Sequence, residues 1–501
     1  MTSNFNLIED PWIPVVYNHC APGQTKQVGL RELYEGSEQI ADLAATPSER
    51  VALMRLLLCI TQAALDGPRD EPDWLECGER IVKASCDYLQ KWKDRFNLFG
   101  DRPFLQVPCL NPRNETASAW ASCDKLHFIL SAGNNHTLFD REALAGGRAH
   151  EPGALALALL TFQCFSPGGT IGQAKWGFLE TRRNSTHAPC LQNSPLFTIL
   201  RGPNLLFDIH LNLIAKDRLK AATLEFGRPV WELDDLPSPD RDEANQLTRT
   251  YLGRLVPLAR AVRIHTDCIR CIIADGYRYP QLPEGRDPMA TVVPSRRIRG
   301  EQEYRYLSFS LNRHPWRDLH AVLTLAPGDA LGGPLALAHI KQNQEDQSDT
   351  VTLWVGGLAA EQAKLLDCAE WIFSVPRVLL DSRSLEVYRQ GVEHAEIWEN
   401  KLRDAIKAYC GQLKMEEIEK KSHTERAVLA FWGTLDNKFW ELMDLATEAR
   451  DPSPWQERCR KTALLAYRAT CPTETPRQLE AHMEGYRMLG AHKGKRKGAV
   501  V

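Results

Sequence analysis

The run Gly168-Gly169-Thr170-Ile171-Gly172-Gln173-Ala174-Lys175 gathers three glycines and a lysine in eight residues. That composition suggests a loop that wraps phosphate. A nucleotide-binding P-loop needs GxxxxGK followed by Ser or Thr, so that backbone N–H groups and the lysine surround the phosphates. Here Gly172 precedes Gln173 and Ala174, Lys175 precedes Trp176, and no strand leads in, so the NTPase pattern fails. Cys268-Ile269-Arg270-Cys271 is half of a zinc site. Tetrahedral zinc takes four ligands, and neither a second CxxC nor a paired HxxxH accompanies it. His265 lies close in sequence and folding could bring in His150; without them the pair reads as two thiols at a strand end. The 14 histidines form no HExxH or Ser-His-Asp signature. A metal-dependent hydrolase assembled from distant residues is the remaining enzymatic alternative.

Composition narrows the class. At roughly 150 residues per domain, the 501 residues make about three domains, or one large domain and a smaller one. Hydrophobic residues are 43% and charged residues 25%, as in ordinary globular proteins. With 61 Lys+Arg against 64 Asp+Glu the net charge is −3, whereas a free-standing nucleic-acid binder carries a basic excess. Any nucleic-acid contact must therefore be local, or shared with basic partners. Met1-Thr2-Ser3-Asn4-Phe5 lacks a basic segment followed by an apolar run, so no signal peptide is expected. The longest apolar stretch, Leu56 to Ile60, is too short to span a bilayer. The 14 scattered cysteines read as reduced thiols of a cytoplasmic protein.

The elements that must position these residues are partly legible. Pro11 and Pro14 confine Leu7 to Val16 to an edge strand or extended arm. Thr46-Pro47-Ser48-Glu49 is a capping box opening a buried helix. Residues 66–125 read as irregular. Pro152 opens a short apolar helix from Ala154 to Phe162, which runs into Ser166-Pro167-Gly168-Gly169, read as a loop outside any regular element. Phe207, Ile209, Leu211 and Leu213 alternate with polar residues and predict a strand; so do Arg305, Leu307, Phe309 and Leu311. Val351 to Val355 predicts a strand ending at Gly356-Gly357. Segments 215–250 and 280–302 read as long connections. From about residue 376 apolar residues recur at helical spacing: Leu385 to Ile406, Val428 to Leu442, then Trp455 to Arg468 and a helix capped at Thr475. Four such helices make a bundle. The basic tail from His492 to Lys497 reads as a solvated terminus.

Taken in order, these segments resemble the CasA family, the large subunits of type I-E CRISPR Cascade. The resemblance is carried by Leu7-Ile8-Glu9-Asp10-Pro11-Trp12-Ile13-Pro14-Val15, Pro103-Phe104-Leu105-Gln106, the Asn-rich stretch from Gly133 to Arg141, the glycines at 168–172, Gly356-Gly357-Leu358-Ala359-Ala360-Glu361-Gln362, and the C-terminal bundle. It implies an α+β fold, a large mixed α/β N-terminal domain followed by a C-terminal four-helix bundle, divided here as 1–375 and 376–501. It implies a non-catalytic subunit, without cofactor, at one end of a guide-RNA complex. There it would read the short flanking motif (PAM) in double-stranded target DNA while guide pairing reads the rest. It would also help recruit a helicase-nuclease after R-loop formation. The other reading is an assembly scaffold that caps the guide-RNA end without motif readout.

The resemblance also assigns residues. Gly168, Gly169 and Gly172 would let backbone approach the minor-groove floor, where readout is degenerate; otherwise they form a tight turn between helix and strand. Gln362 would be the tip of a wedge hairpin that splits the duplex; otherwise it is a solvated helix residue after a turn. The family often has Asn before that glutamine, where this chain has Glu361, an acid that must turn away from phosphate. A family lysine supports the motif contact. None occurs between 272 and 286, so Arg278, beside Tyr277, is the substitute, with Arg296 and Arg297 as other basic candidates. Asn134, Asn135, Phe139, Asp140 and Arg141 fall on the family's mobile DNA-contacting loop. Some relatives bind zinc through two CxxC pairs; only Cys268 and Cys271 remain here, and no metal is expected.

Overall fold

The computed structural model describes residues 5–19, 21, 23–114, 120–127, 148–282, 284–298, 301–324, 332–342, 349–361 and 364–490. The chain forms two compact units. The first holds residues up to Asn312 together with Thr324–Val375; the second holds Arg313–Leu323 with the chain from Pro376 onward. A segment N-terminal to position 376 thus belongs to the helical unit. Helices and strands mix in the first unit, and the second is helical. No helix among the described residues is long and apolar enough to cross a membrane.

The first unit is built around the helix Pro47–Leu65. Thr46 and Glu49 close the capping box, with Thr46 N–H donating to Glu49 Oε2 at 2.9 Å. Most of its residues are buried, including Arg55, which donates to the Leu255 and Arg254 carbonyls and to Asp287 at 2.6 Å. Ile13–Tyr17 is the middle of a three-stranded sheet, not an edge strand. Pro14 lacks a donor, yet its carbonyl still accepts from Ala44 N–H at 2.9 Å, so the ladder passes through it.

Several apolar patterns resolve differently from their sequence reading. Leu205–Asn212 is a helix, not a strand. Leu205, Ile209 and Leu213 also recur every fourth residue, and the Asn204 side chain accepts from Phe207 N–H at 3.2 Å, a cap that selects the helical period. Residues 66–125 contain the helices Glu71–Glu76 and Ile81–Lys91. The expected connections contain Lys216–Ala221, Asp242–Arg249 and the strand Val292–Ile298, which pairs with Glu301–Tyr306. That second strand stops at Tyr306, short of the alternation through Leu311. Phe197–Arg201 pairs antiparallel with Thr350–Glu361, which lies beside Lys364–Pro376.

The second unit is a bundle of Ser382–Gln412, Glu417–Asp436, Phe439–Thr447, Ser453–Thr470 and Pro476–Met488. The apolar row from Val428 to Leu442 is thus broken at Asn437-Lys438 into two helices. Thr475 caps the last helix, with Gln478 completing the box. Trp316, from the inserted segment, lies at the bundle's centre. Its ring stacks on Phe439 (5.7 Å) and meets Trp432 and Trp455 edge-on at 6.0 and 6.2 Å. Its indole N–H donates to Asp436 at 2.7 Å, and its carbonyl accepts from the Tyr388 hydroxyl. Trp316→Ala would leave a ring-sized cavity among three aromatics. It is expected to cost about 3–5 kcal/mol, read as a lower denaturation midpoint of the helical unit by far-UV circular dichroism.

Candidate nucleic-acid interface

The glycines at 168–172 do not form an open loop. Gly169 pairs with Ser185 and Thr170 with Asn184, and Ile171 N–H donates to the Arg183 carbonyl. Lys175 then pairs with Glu180 and Trp176 with Leu179. The whole of 169–185 is therefore one antiparallel hairpin, with a register change near its middle, and the glycines are its base. Sequence reading missed this because each paired stretch is only two or three residues long.

Each glycine has its own physical reason. A Cβ on Gly168 would sit 2.7 Å from the His187 nitrogen and 2.9 Å from the Ser185 carbonyl, both backbone atoms that cannot yield. Gly169 has φ +132°, a conformation that side-chain-bearing residues avoid. Gly172 differs: its nearest neighbour, the Ile273 carbonyl, would be 3.6 Å from a Cβ, an ordinary contact. The fold itself leaves room for a methyl group there.

Beneath the hairpin base lies Arg260, 2% exposed. It donates to the Pro167 and Thr186 carbonyls at 2.8 Å each and to Ala259 at 2.7 Å, so it ties together the two chains that enter the hairpin. Burial lowers its pKa to about 10, opposed by nearby Asp275. Gly168 N–H donates to His187 Nδ1 at 3.0 Å, which leaves the proton of the neutral ring on Nε2. Burial, with the Arg260 charge beside it, holds His187 below the usual histidine pKa. Neither residue was legible as part of the site, since Arg260 follows the glycines by some ninety positions.

Arg278 joins this site. Its guanidinium donates to the Asn184 carbonyl at 2.7 Å and approaches Asp275 at 3.4 Å, with 41% of the side chain exposed. The residue chosen from sequence as the basic partner of the glycines thus touches the strand paired with them. Burial raises the Asp275 carboxyl pKa while Arg278 and Arg260 pull it down. Tyr277 is buried, stacked on Trp176 at 5.5 Å, with its hydroxyl donating to the Pro237 carbonyl; it supports the hairpin from below. Arg296 and Arg297 lie in the strand Val292–Ile298, and their side chains are outside the described residues.

Thr350–Glu361 runs straight through Gly356 and Gly357 and does not end there. A Cβ on Gly356 would meet the Trp354 ring at 2.6 Å, and one on Gly357 would meet Phe309 and the Pro195 carbonyl at 2.9 Å, so both glycines serve close packing. The next described element, Lys364–Pro376, is a strand. Gln362 itself lies outside the described residues, between the two strands in sequence, and Glu361 is the last residue of the first. Ala359 and Ala360 of that strand, with His187, Ser194 and Phe309, line one cavity of about 520 Å³. The glycine turn, through His187, and the approach to Gln362 therefore face a common cleft. Asn134, Asn135, Phe139, Asp140 and Arg141 lie outside the described residues.

Cys268 occupies the turn before the strand Arg270–Asp275 with φ +58°, and Cys271 sits within it. The neighbouring Cys271 thiol, together with burial, pushes the Cys123 thiol pKa up. Among the described residues no group of three or more His, Cys, Asp and Glu is arranged to hold a metal ion.

Two outcomes follow from this geometry. Gly168→Ala should lower stability by about 1–3 kcal/mol, whereas Gly172→Ala should melt with the parent protein; any binding lost in Gly172→Ala then reports a ligand close to that backbone. The second concerns pH. His187 binds its proton less readily folded than unfolded, so its contribution is complete above the ordinary value of 6.5 and erodes as pH falls below it. His187→Asn keeps an acceptor for Gly168 N–H without titrating. The difference in melting temperature between parent and variant should therefore change between pH 7 and 5.5, against the parent at the acid end.

Comparison with known proteins places the chain. A family model described as CRISPR-associated protein Cse1 matches residues 6–469. The CRISPR-associated protein CasA/Cse1 of Thermus thermophilus is 29% identical over 498 residues, covering 93% of this chain and 92% of that one. The solved Thermus thermophilus CasA (Cse1) superposes with a TM-score of 0.77 at 25% identity, over 97% of this chain and 98% of the other. The fold is also that of Thermobifida fusca Cse1, with a TM-score of 0.78 at 21% identity over 98% and 99% of the two chains. It is shared as well by a chain of a CRISPR RNA-guided surveillance complex, with a TM-score of 0.80 at 18% identity over 97% and 100%. The chain thus belongs to the Cse1 (CasA) family of CRISPR-associated proteins, the large subunits of type I-E Cascade.

Proposed function

We propose that this chain reads the short flanking motif in double-stranded target DNA from within a guide-RNA surveillance complex in the cytoplasm. On this reading it nucleates unwinding beside that motif and then presents a docking face to a helicase-nuclease, without catalysing a reaction itself. One observation carries the reading. Arg278 bonds the strand paired with Gly169 and Thr170, and His187, which accepts from Gly168 N–H, lines one cleft with Ala359 and Ala360 of the strand that precedes Gln362 in sequence.

The chemistry at that point suits a minor groove. The groove floor offers mostly acceptors, and the site offers donors: an exposed part of Arg278 and the Nε2–H of neutral His187. Gly172 has backbone room that the fold does not use. A guanidinium in a narrow groove gains from the concentrated negative potential there. A net charge of −3 fits a subunit whose neighbours supply most phosphate contacts.

The deciding experiment is target binding by the guide-RNA complex, with and without this chain, on DNA carrying a randomised flank at fixed salt. Flank-dependent affinity that needs the chain is the expected result; equal affinity added to every flank would establish the scaffold reading instead. Gln362→Ala should slow strand opening by roughly tenfold, about 1.4 kcal/mol of a few-kcal/mol unstacking cost, and leave first binding nearly unchanged. Equal losses in both steps would make Gln362 a structural residue.

A further inference from the structure

The tip of the 169–185 hairpin carries a side chain that the flank reading does not use. Phe178 is exposed to 112% of its reference area, more than any other large hydrophobic residue among those described. It occupies the second position of a two-residue turn between Trp176 and Leu179, after Gly177 with φ +61°. Glycine first is the arrangement that matches such turns to the twist of the strands. The mount is rigid. Trp176 is buried against Tyr277 and pairs with Leu110 of a neighbouring strand, and Thr181 Oγ1 accepts from Ala174 N–H at 2.9 Å. An apolar ring is thus held in water at the end of a fixed support.

The surroundings of that ring are basic. Lys175, Glu180 and Arg182 alternate on the solvent face, and Arg183 is exposed beside them. Glu180 is neutralised by Arg113 at 2.5 Å. Among the described residues Lys175, Arg182 and Arg183 make no ion pair, although Arg182 feels the charges of Asp240 and Asp275. Three exposed cations therefore share one hairpin with an exposed aromatic ring, in a chain whose net charge is −3. The core of a protein–protein interface is apolar and depleted of lysine, and here no second exposed large hydrophobic residue lies on the hairpin. Cations along a backbone path with an aromatic platform are the recognition chemistry of single-stranded nucleic acid. In a duplex the base faces are covered by their neighbours, so a fixed ring meets a base face only where the strand is unpaired.

We propose that the outer half of this hairpin, Lys175 to Arg183, binds an unpaired DNA strand. Phe178 stacks on a base, while Lys175, Arg182 and Arg183 meet its phosphates, without sequence preference. This activity is distinct from motif reading, since its aromatic ring is at the tip of the hairpin and Gly168 at its base.

The test is binding of a fluorescein-labelled 15-nucleotide oligo(dT) to the full chain over a range of salt concentrations. The parent protein should bind it more tightly than the same oligonucleotide annealed to oligo(dA). Phe178→Ala should weaken binding at least about fivefold, and Phe178→Trp should restore it. Replacing Lys175, Arg182 and Arg183 together by Ala should lower the slope of log K against log salt by about 2, at about 0.7 per phosphate contact on a single strand. The Phe178 ring is fully exposed, so Phe178→Ala should melt with the parent. Failure of the parent to bind oligo(dT), or equal binding by parent and Phe178→Ala, would overturn the proposal. So would a Phe178→Ala protein that binds oligo(dT) normally but no longer joins the guide-RNA complex, which would assign the tip to a protein partner. Oligo(dT) carries no flanking motif, so a failure here leaves the flank reading standing, and a failure of the flank experiment leaves this result untouched.

Discussion

A buried arginine organises the candidate site. Arg260 lies on a strand under the hairpin, and its guanidinium is solvated by main-chain carbonyls instead of water. Burying a guanidinium is costly unless its donors are satisfied, and the carbonyls that satisfy it belong to Pro167 and Thr186, on the two sides of the hairpin base. The charge therefore cannot be buried unless these chains come together. Gln163 holds the strand itself, giving and receiving hydrogen bonds with the Arg260 backbone at 2.8 Å. The apolar helix that ends at Phe165 is thereby locked to the strand that carries Arg260. Gly168, His187 and Arg278 all take their positions from this arrangement.

The glycines show how structural and functional demands divide within one short motif. Gly168 is required because backbone crowds it, and Gly169 because its φ is positive. Neither observation concerns a ligand. Gly172 has neither constraint, and on the proposed reading it is the position where an approaching groove would take the space. Gly356 and Gly357 fall wholly on the structural side, since an aromatic ring and a carbonyl fill the places of their side chains.

Local signals were readable in the sequence where they were complete in themselves. The capping boxes at Thr46–Glu49 and Thr475–Gln478 both form, and the bundle's apolar rows fall on helices. The segment 205–213 was misread because its apolar residues fit period two as well as period four, and only the side chain of Asn204 separates them. The hairpin at 169–185 was missed because its register changes midway and its strands are short. Arg278 was legible because the family resemblance points to residues 272–286, a stretch without lysine. His187 and Arg260 could not, since their roles arise from hydrogen bonds to backbone atoms far off in sequence, which no residue pattern encodes.

The same limit explains why the helical unit is not a simple C-terminal domain. Its apolar periodicity starts near residue 382, but the side chain at its centre, Trp316, is supplied some sixty positions earlier. Around it, Arg313 pairs with Asp318 and Glu396, and Arg317 lies 3.4 Å from the centre of the Trp432 ring. Without that segment the rings of Trp432, Phe439 and Trp455 would lose a common neighbour, and Asp436 would lose its indole donor. The chain therefore enters the helical unit, leaves it at Leu323 and returns at Pro376. The bundle is complete only when a stretch embedded in the first unit's sequence has been delivered to it, so a boundary drawn where helical periodicity begins cuts through the packing that the periodicity exists to form.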